Sequence, residues 1–170
     1  MWAVALSNQD YYFCNTGYIR TSSHEYSQDI NDHYVHLTNN CLQMLDPKSY
    51  GKHEQGNTLP FSEFQKFLDE QYPQYGLKFD TDFVDRMKDL ALDVHQGSKT
   101  SINPSKRRNS FELFGFDFMI DEDFRVWLIE VNTNPYIGLY NDKMQEVLPN
   151  MFNGLFKIVL DPVFERMSNE

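Results

Sequence analysis

Cysteine is scarce in this chain of 170 residues, which contains only Cys14 and Cys41. Neither belongs to a C-x-x-C pair, and no histidine pattern completes a zinc site, so we expect two ordinary reduced thiols. No apolar run approaches the ~18 residues that span a bilayer. The segment Met1–Leu6 lacks the basic region and cleavage site of a signal peptide, and no G-x-S-x-G motif indicates a serine hydrolase. These absences favour a cytoplasmic protein that does not enter the membrane.

Positive charge is also in short supply, with 15 Lys and Arg against 25 Asp and Glu and a net charge of −10. This balance argues against a general nucleic-acid binder. One stretch is an exception, because four basic residues and no acid occur in it: Lys99, Lys106, Arg107 and Arg108. Two interpretations stay open, a solvated loop or a basic loop that meets an acidic partner or the phosphates of a nucleotide.

What the chain does contain is a globular composition, 41% hydrophobic and 15% aromatic, and a length that fits one domain with a real core. Its patterns predict both strands and helices, hence an α+β fold. Strands are expected at 2–7, 11–14 and 35–40, with an extended piece at 17–23. Helices are expected at 60–71 and 81–96, and a third amphipathic stretch, which Pro149 divides or restarts, follows Pro135.

The most informative segment runs from Phe111 to Pro135, FELFGFDFMIDEDFRVWLIEVNTNP. Two apolar strands around the acidic turn Asp121–Asp123 predict a β-hairpin. Alternation sorts each strand into two faces. The faces predicted to lie in the core carry Phe114, Phe116, Phe118 and Ile120 on the first strand, and Trp127, Ile129 and Val131 on the second.

The opposite faces carry Asp117 on the first strand and both Glu130 and Asn132 on the second. A hairpin loop of two or four residues would place these three side chains on one side of the sheet, whereas a loop of three would separate them. If they lie together, they form the oxygen-rich set that Mg²⁺ prefers, beside Gly115, which would leave room for a ligand. The alternative is an ordinary solvent-facing side of an antiparallel sheet.

Four segments in a fixed order resemble the tubulin tyrosine ligase and ligase-like family: GYIRTSS, VHLTNN, YGKHEQGNTLPFSEFQKFL and the hairpin itself. The likeness extends from about Tyr11 to Phe164. It implies an ATP-grasp fold, with a mainly antiparallel sheet flanked by helices, and an ATP-dependent ligase that joins an amino acid to a protein carboxylate through an acyl phosphate. The acceptor implied is tubulin, on its acidic C-terminal tails, at microtubules in the cytoplasm or in a cilium or basal body.

The resemblance also implies roles for particular residues. Asp117, Glu130 and Asn132 match the positions that hold Mg²⁺ against ATP in the family. Arg20 matches the catalytic arginine that faces the phosphates and the carboxylate substrate, and Thr38 and Asn39 match positions that line the nucleotide site. A structural alternative for Arg20 is an ion pair with Asp29 or Asp32.

The family's upstream lysines and its D-x-R segment have no counterpart in this chain. We therefore expect residues 1–170 to be the C-terminal portion of one ATP-grasp catalytic domain, monomeric and without ligase activity on its own. Two alternatives stay open: a non-catalytic copy that binds microtubules or a partner, and an ATP-grasp ligase with another substrate. Of the amino acids that could be added, glutamate is favoured, with tyrosine and glycine left open.

Overall fold

The computed structural model describes residues 1–139, 141–162 and 164. The fold is α+β, as expected, and one antiparallel sheet with flanking helices dominates it. The strands are β1 (Trp2–Leu6), β2 (Tyr11–Phe13), β3 (Tyr18–Arg20), β4 (Thr58–Pro60), β5 (Phe111–Ile120) and β6 (Val126–Asn132). The helices are α1 (His33–His36), α2 (Asn40–Gln43), α3 (Phe61–Gln71), α4 (Asp85–Ile102) and α5 (Asp142–Val159). In the described part of the chain, no helix is long and apolar enough to cross a membrane.

The main sheet has the strand order β2-β1-β5-β6, and every neighbouring pair is antiparallel. Strand β1 shows how the two sides of the sheet are used, because successive side chains point to opposite faces. Ala3 and Ala5 are buried with Ala91 of α4, whereas Trp2 is buried with Met144 of α5. The two long helices therefore pack on opposite faces of the sheet.

The α4 side holds most of the core. The even-numbered residues of β5 face it, and Phe116 is 2% exposed. A single-turn π-helix at Phe79–Val84 leads into α4, so this helix begins later and ends later than the pattern predicts. Its apolar stripe contacts α3 through Leu68. Burial of this stripe, rather than helix propensity, accounts for most of the stability of such helices.

Helix α5 covers the other face, but only in part. Its buried stripe packs against Trp2 and Leu113, at the β1 end of the sheet. Pro149 neither divides nor restarts this helix, which runs through it without a break. The proline lies on the exposed side, where the carbonyl of Gln145, which it cannot bond, remains open to water.

The loop between β5 and β6 is longer than predicted and spans residues 121–125. Asp121 organises it by accepting hydrogen bonds from the backbone of Asp123 (3.0 Å) and Arg125 (2.8 Å) and from the indole of Trp127 (2.8 Å). These donors hold the pKa of the Asp121 carboxyl below its usual value. Phe124 adopts a left-handed conformation, φ 62°, and packs its ring on Tyr72.

An odd-numbered loop alone would have separated Asp117 from Glu130. The ladder pairs Phe118 with Leu128 but Asp117 with Glu130, so Ile129 is an extra residue, a β-bulge. The bulge shifts the register by one and brings Asp117 and Glu130 to opposed positions. The three oxygen-bearing side chains thus lie on one side of the sheet. The sequence placed them together only for a loop of two or four residues, and the bulge produces the same result with a loop of five.

The bulge also corrects the predicted core face of β6. Trp127 and Ile129 are 54% and 58% exposed, whereas Val126, Leu128 and Val131 pack against the core. In β6 the core residues are even-numbered before the bulge and odd-numbered after it. A prediction that assumes strict alternation along the whole strand therefore assigns Trp127 and Ile129 to the wrong face.

Gly115 does not leave room for a ligand, contrary to the expectation. A Cβ built on it would lie 2.8 Å from Cβ of Pro135 and 3.8 Å from Cβ of Asn132. The missing side chain is therefore what allows the chain that follows β6 to fold back onto β5.

The segment expected as a strand at 35–40 instead contains the end of α1, a link of three residues and the first residue of α2. Asp32 caps α1, and Asn39 caps α2 by accepting a hydrogen bond from the backbone of Cys41 (2.9 Å). Short polar segments of this kind follow capping chemistry, because Asn and Asp side chains satisfy the free N–H groups of a first helical turn. β3 and β4 form a separate small sheet beside these helices.

His24 joins these polar loops. Its Nδ1 lies 2.9 Å from Asp32 and its Nε2 lies 3.0 Å from Asp46. Hydrogen bonds to Asp32 and then to Asp46 raise the pKa of His24. The same contact with His24 lowers the pKa of Asp32, and bonds from Ser49 and then His24 lower that of Asp46.

Gly115→Ala should destabilise the protein by about 1–3 kcal/mol, because the added methyl overlaps the rigid ring of Pro135. Urea unfolding measures the change. Gly97→Ala is the matched control, since a Cβ on this glycine of α4 meets nothing within 4 Å and should stabilise the helix by about 1 kcal/mol. A Gly115→Ala variant as stable as the wild type would contradict the close approach.

His24→Gln should flatten the dependence of stability on pH. The contribution of His24 is present below its unfolded pKa and is lost as pH rises through its raised folded pKa; those of Asp32 and Asp46 are lost as pH falls through their lowered values. Melting temperatures at pH 6 and pH 9 should therefore differ more in the wild type than in the variant. His53→Gln, at an exposed position, should leave this difference unchanged.

Candidate functional site

Two carboxylates and an amide come together at the β6 edge of the sheet. Asp117 and Glu130 are opposed across the ladder, and Gly115 is opposed to Asn132. The Nδ2 group of Asn132 donates to Oδ2 of Asp117 (3.3 Å) and to Oε1 of Glu130 (3.2 Å). One amide thus links both acids, and both carboxylates keep lone pairs for another ligand.

Arg20 reaches this cluster from the small sheet. Its backbone is fixed opposite Thr58 in the β3–β4 ladder, and its Nη2 lies 3.0 Å from Oδ1 of Asp117. The two side chains are 31% and 32% exposed, so the pair adds at most about 1 kcal/mol to stability. The alternative partners are not used, since Asp32 binds His24 and Asp29 bonds to Asn31. The ion pair therefore fixes the position of the Arg20 guanidinium beside Asp117 but adds little to the stability of the fold.

Apolar side chains lie exposed beside the acids. Met119 is opposed to Trp127 in the ladder, and both are 54% exposed; Ile129, beside Glu130, is 58% exposed. Exposed large apolar side chains that adjoin converging polar groups are typical of a surface that receives a ligand. Helix α5 leaves this end of the face uncovered, since its contacts with the sheet are at Trp2 and Leu113.

Among the residues that the structure describes, no hydrogen bond joins Thr38 or Asn39 to the acidic cluster. Asn39 is occupied as the cap of α2. The segment is nevertheless tied to the end of β3, because Gln43 of α2 binds the carbonyl of Leu37 (2.6 Å) and accepts a hydrogen bond from the backbone of Ser23 (2.8 Å). Arg20 is thus brought to the acids, whereas Thr38 and Asn39 are held near its strand.

Sequence reasoning missed the polar residues that shape this region. Asn57 is 4% exposed and donates to the carbonyl of Thr21 (3.2 Å) and to Ser23 (2.8 Å). Glu54 accepts a hydrogen bond from the hydroxyl of Thr21 (2.8 Å), directly after Arg20. Both belong to the YGKHEQGN segment, but loop residues of this type give no sequence signal of burial.

The donor set fits a hard divalent cation. Within residues 1–139, 141–162 and 164, no three His, Cys, Asp or Glu side chains cluster as a metal site. Two carboxylates with an amide are nonetheless a common protein share for Mg²⁺, which completes its shell with phosphate oxygens and water. Asp117 and Glu130 outweigh the single charge of Arg20, so the cluster carries excess negative charge that favours a cation.

Comparison with known proteins gives a consistent answer. The family model described as "Tubulin-tyrosine ligase family" matches residues 1–169. Tubulin glycylase 3A of Drosophila melanogaster is 32% identical over 156 residues, 88% of this chain and 15% of that protein. Tubulin monoglycylase TTLL3 of Homo sapiens is 30% identical over 158 residues, covering 91% and 20%. Probable tubulin polyglutamylase TTLL9 of Rattus norvegicus is 31% identical over 120 residues, covering 70% and 24%.

The chain therefore spans about a fifth or less of the glycylases that it matches, 15% and 20% of their lengths. The resemblance suggested by GYIRTSS, VHLTNN, YGKHEQGN and the hairpin is confirmed, since the match extends over nearly every residue. This chain belongs to the tubulin-tyrosine ligase family.

Proposed function

We propose that this chain supplies the metal- and phosphate-binding side of an ATP-dependent ligase that attaches an amino acid to a protein carboxylate. The observation that carries the proposal is the convergence of Arg20, Asp117, Glu130 and Asn132 at an uncovered face of the sheet. Their charges suit Mg²⁺ and phosphate, and the exposed Met119 and Ile129 beside them suit an apolar base. A nucleotide is the ligand class that combines both requirements.

The proposed reaction needs an activated carboxylate rather than a nucleophilic side chain. A carboxylate oxygen of the substrate attacks the γ-phosphorus of ATP, and ADP leaves. The amine nitrogen of the second substrate then attacks the acyl carbon, phosphate leaves, and the amine gives up a proton to solvent. When bound, Mg²⁺ would neutralise negative charge on the phosphate oxygens.

In this scheme Asp117, Glu130 and Asn132 hold the cation and fix its position. Arg20 stands against Asp117 and presents a positive guanidinium to the same space, where it would stabilise charge on the transferred phosphoryl group and on the carboxylate substrate. Its ion pair with Asp117 keeps the guanidinium in place before a substrate arrives. We also propose that Thr38 and Asn39 line the nucleotide site, with the end of α1 and the cap of α2 adjacent to β3.

The names of the relatives support tubulin as the acceptor, and with it an association with microtubules. They also bear on the amino acid. Two of the three relatives above are named glycylases and one a probable polyglutamylase, so the preference for glutamate gains no particular support. We propose glycine as the first amino acid to test and glutamate as the second.

Asp117→Asn and Glu130→Gln should each reduce the rate of ligation by about 100-fold or more. Removal of an outer-shell partner of a metal ligand already costs about 10–100-fold, and these two side chains would be ligands themselves. The assay measures incorporation of labelled glycine, glutamate or tyrosine in turn into tubulin with Mg²⁺-ATP, and it places these residues in a chain with measurable ligase activity. Glu112→Gln is the matched control, because this exposed acid lies on the same strand but outside the cluster. Unchanged affinity for Mg²⁺-ATP in both cluster variants would contradict the assignment.

The 170-residue chain alone should show no turnover with ATP, Mg²⁺, tubulin and glycine. Its cluster is open on one side, and an open site neither excludes water nor positions a nucleotide between two surfaces. A chain that begins with the upstream lysines of the family is the comparison. Measured ligation by the purified 170 residues would refute this expectation.

A further inference from the structure

A second polar cavity lies on the other side of the sheet, at the opposite end of β5 from Asp117. It has a volume of about 420 Å³ and is enclosed by the turn after β1, the last turns of α4 and the loop that precedes β5. Leu6 pairs with Phe111 at this end of the ladder, and the backbone N–H of Ser7 donates to the carbonyl of Ser110 (2.9 Å). Six residues separate Phe111 from Asp117, or ~20 Å along the strand, so the cavity is not part of the acidic cluster.

The cavity collects the basic residues that stand out in the sequence, and its lining includes Lys99, Lys106, Arg107 and Arg108. All four are exposed, and in the part of the chain that the structure describes none of them forms an ion pair. In a chain with a net charge of −10, a group of four cations without acidic partners is a strong local reversal of sign. Such a reversal focuses the field on one part of the surface and attracts anions to it.

Hydrogen bonds within the loop between α4 and β5 fix its conformation. The side chain of Asn103 donates to the carbonyl of Arg107 and accepts from its backbone N–H, both at 2.9 Å. Lys106 and Asn109 sit in the left-handed region, at φ 49° and 51°, which turns the loop back toward the sheet. The loop is therefore already ordered in the folded chain, so binding a ligand would cost little further conformational entropy of its backbone.

A buried histidine lies among the lining residues. His95 is 7% exposed, stacks on Tyr11 with ring centroids 4.3 Å apart, and places Nε2 3.4 Å from the carbonyl of Gln9. Its Nδ1 is buried and has no hydrogen-bond partner. The ring is thus held on the wall of the cavity by packing against Tyr11, and the inaccessible Nδ1 is left without a partner at a cost in free energy.

We propose that this cavity and its basic rim bind an acidic polypeptide segment. Four cations spread over the end of α4 and the loop that follows it suit an extended polyanion better than a single compact phosphate, which helix N-termini and converging N–H groups bind. Here α4 presents its C-terminus, whose partial charge of about −0.5 is outweighed by the four cations. Nucleic acid is disfavoured because the rest of the chain is acidic.

The identity of the acidic segment rests on the proposed ligase function. A ligase that modifies an acidic tail needs to retain that tail while one side chain reacts. An extended segment of about ten residues covers ~33 Å, which exceeds the ~20 Å along β5 combined with the ~10 Å between packed layers that separates the two faces of the sheet. The rim would therefore act as an anchoring site for the acceptor, distinct from the site where the bond forms.

The test measures binding of a fluorescein-labelled decamer of glutamate to the 170-residue chain by fluorescence anisotropy at two salt concentrations. Lys106→Glu/Arg107→Glu/Arg108→Glu should weaken binding by at least tenfold and reduce its salt dependence. The control Lys48→Glu/Lys66→Glu/Lys157→Glu, at exposed lysines elsewhere, changes the net charge by the same amount and should leave affinity within threefold of the wild type. Equal weakening by both triple variants, or none by either, overturns the proposal.

Two further measurements separate the remaining outcomes. A Gln triple variant at residues 106–108 removes the charges without introducing repulsion, and it must also lose binding if the charge-reversed variant fails to fold. Displacement of the decamer by millimolar inorganic phosphate would overturn the proposal in favour of a phosphate site. Glu130→Gln should lose ligation and keep decamer binding. Retained ligation in this variant counts against the ligase function alone, whereas decamer binding that is unaffected by the variants at residues 106–108 counts against the anchoring site alone.

Discussion

The pairing of Asp117 with Glu130 across β5 and β6 is the constraint on which the candidate site depends. It places the two carboxylates opposite one another, and Asn132, two residues beyond Glu130, bridges them. Arg20 then has a partner on a different sheet, and this contact ties the small sheet to the large one. A change of one residue in this register would turn Glu130 toward the core and away from Asp117.

Part of this arrangement follows directly from the sequence. Alternation in β5 is regular, so the buried face with Phe114 and Phe116 and the opposite face with Asp117 could be assigned from a period of two. In β6 the same rule fails, because a bulge at Ile129 is not visible in the residue pattern. The sequence places Asp117, Glu130 and Asn132 on one side only if the loop has two or four residues; the loop has five, and the bulge restores the shared side. The roles of these residues in binding metal remain proposals.

Polar segments were harder to predict than apolar ones. The three long helices each have an apolar stripe and form near the predicted positions, although α4 begins and ends later than its stripe predicts and α5 continues through Pro149. The VHLTNN segment has no stripe, and its structure is decided by the caps at Asp32 and Asn39 and by Gln43, which is fully buried. Such hydrogen-bond networks join residues far apart in the chain, and a single sequence gives no means of pairing them.

The hairpin loop and the bulge also restrict how this segment can vary among related proteins. Compared with an even-numbered loop, the loop of five residues turns the residues of β6 to the opposite face of the sheet. The extra residue in β6 reverses the face again, so the two effects cancel for Glu130 and Asn132. Phe124, packed on Tyr72 and Tyr75, fixes the tip of the loop against the body of the protein. An insertion or deletion of one residue in the loop would thus be tolerated only with a second one in the strand. Length changes in this hairpin should therefore be inherited in compensating pairs.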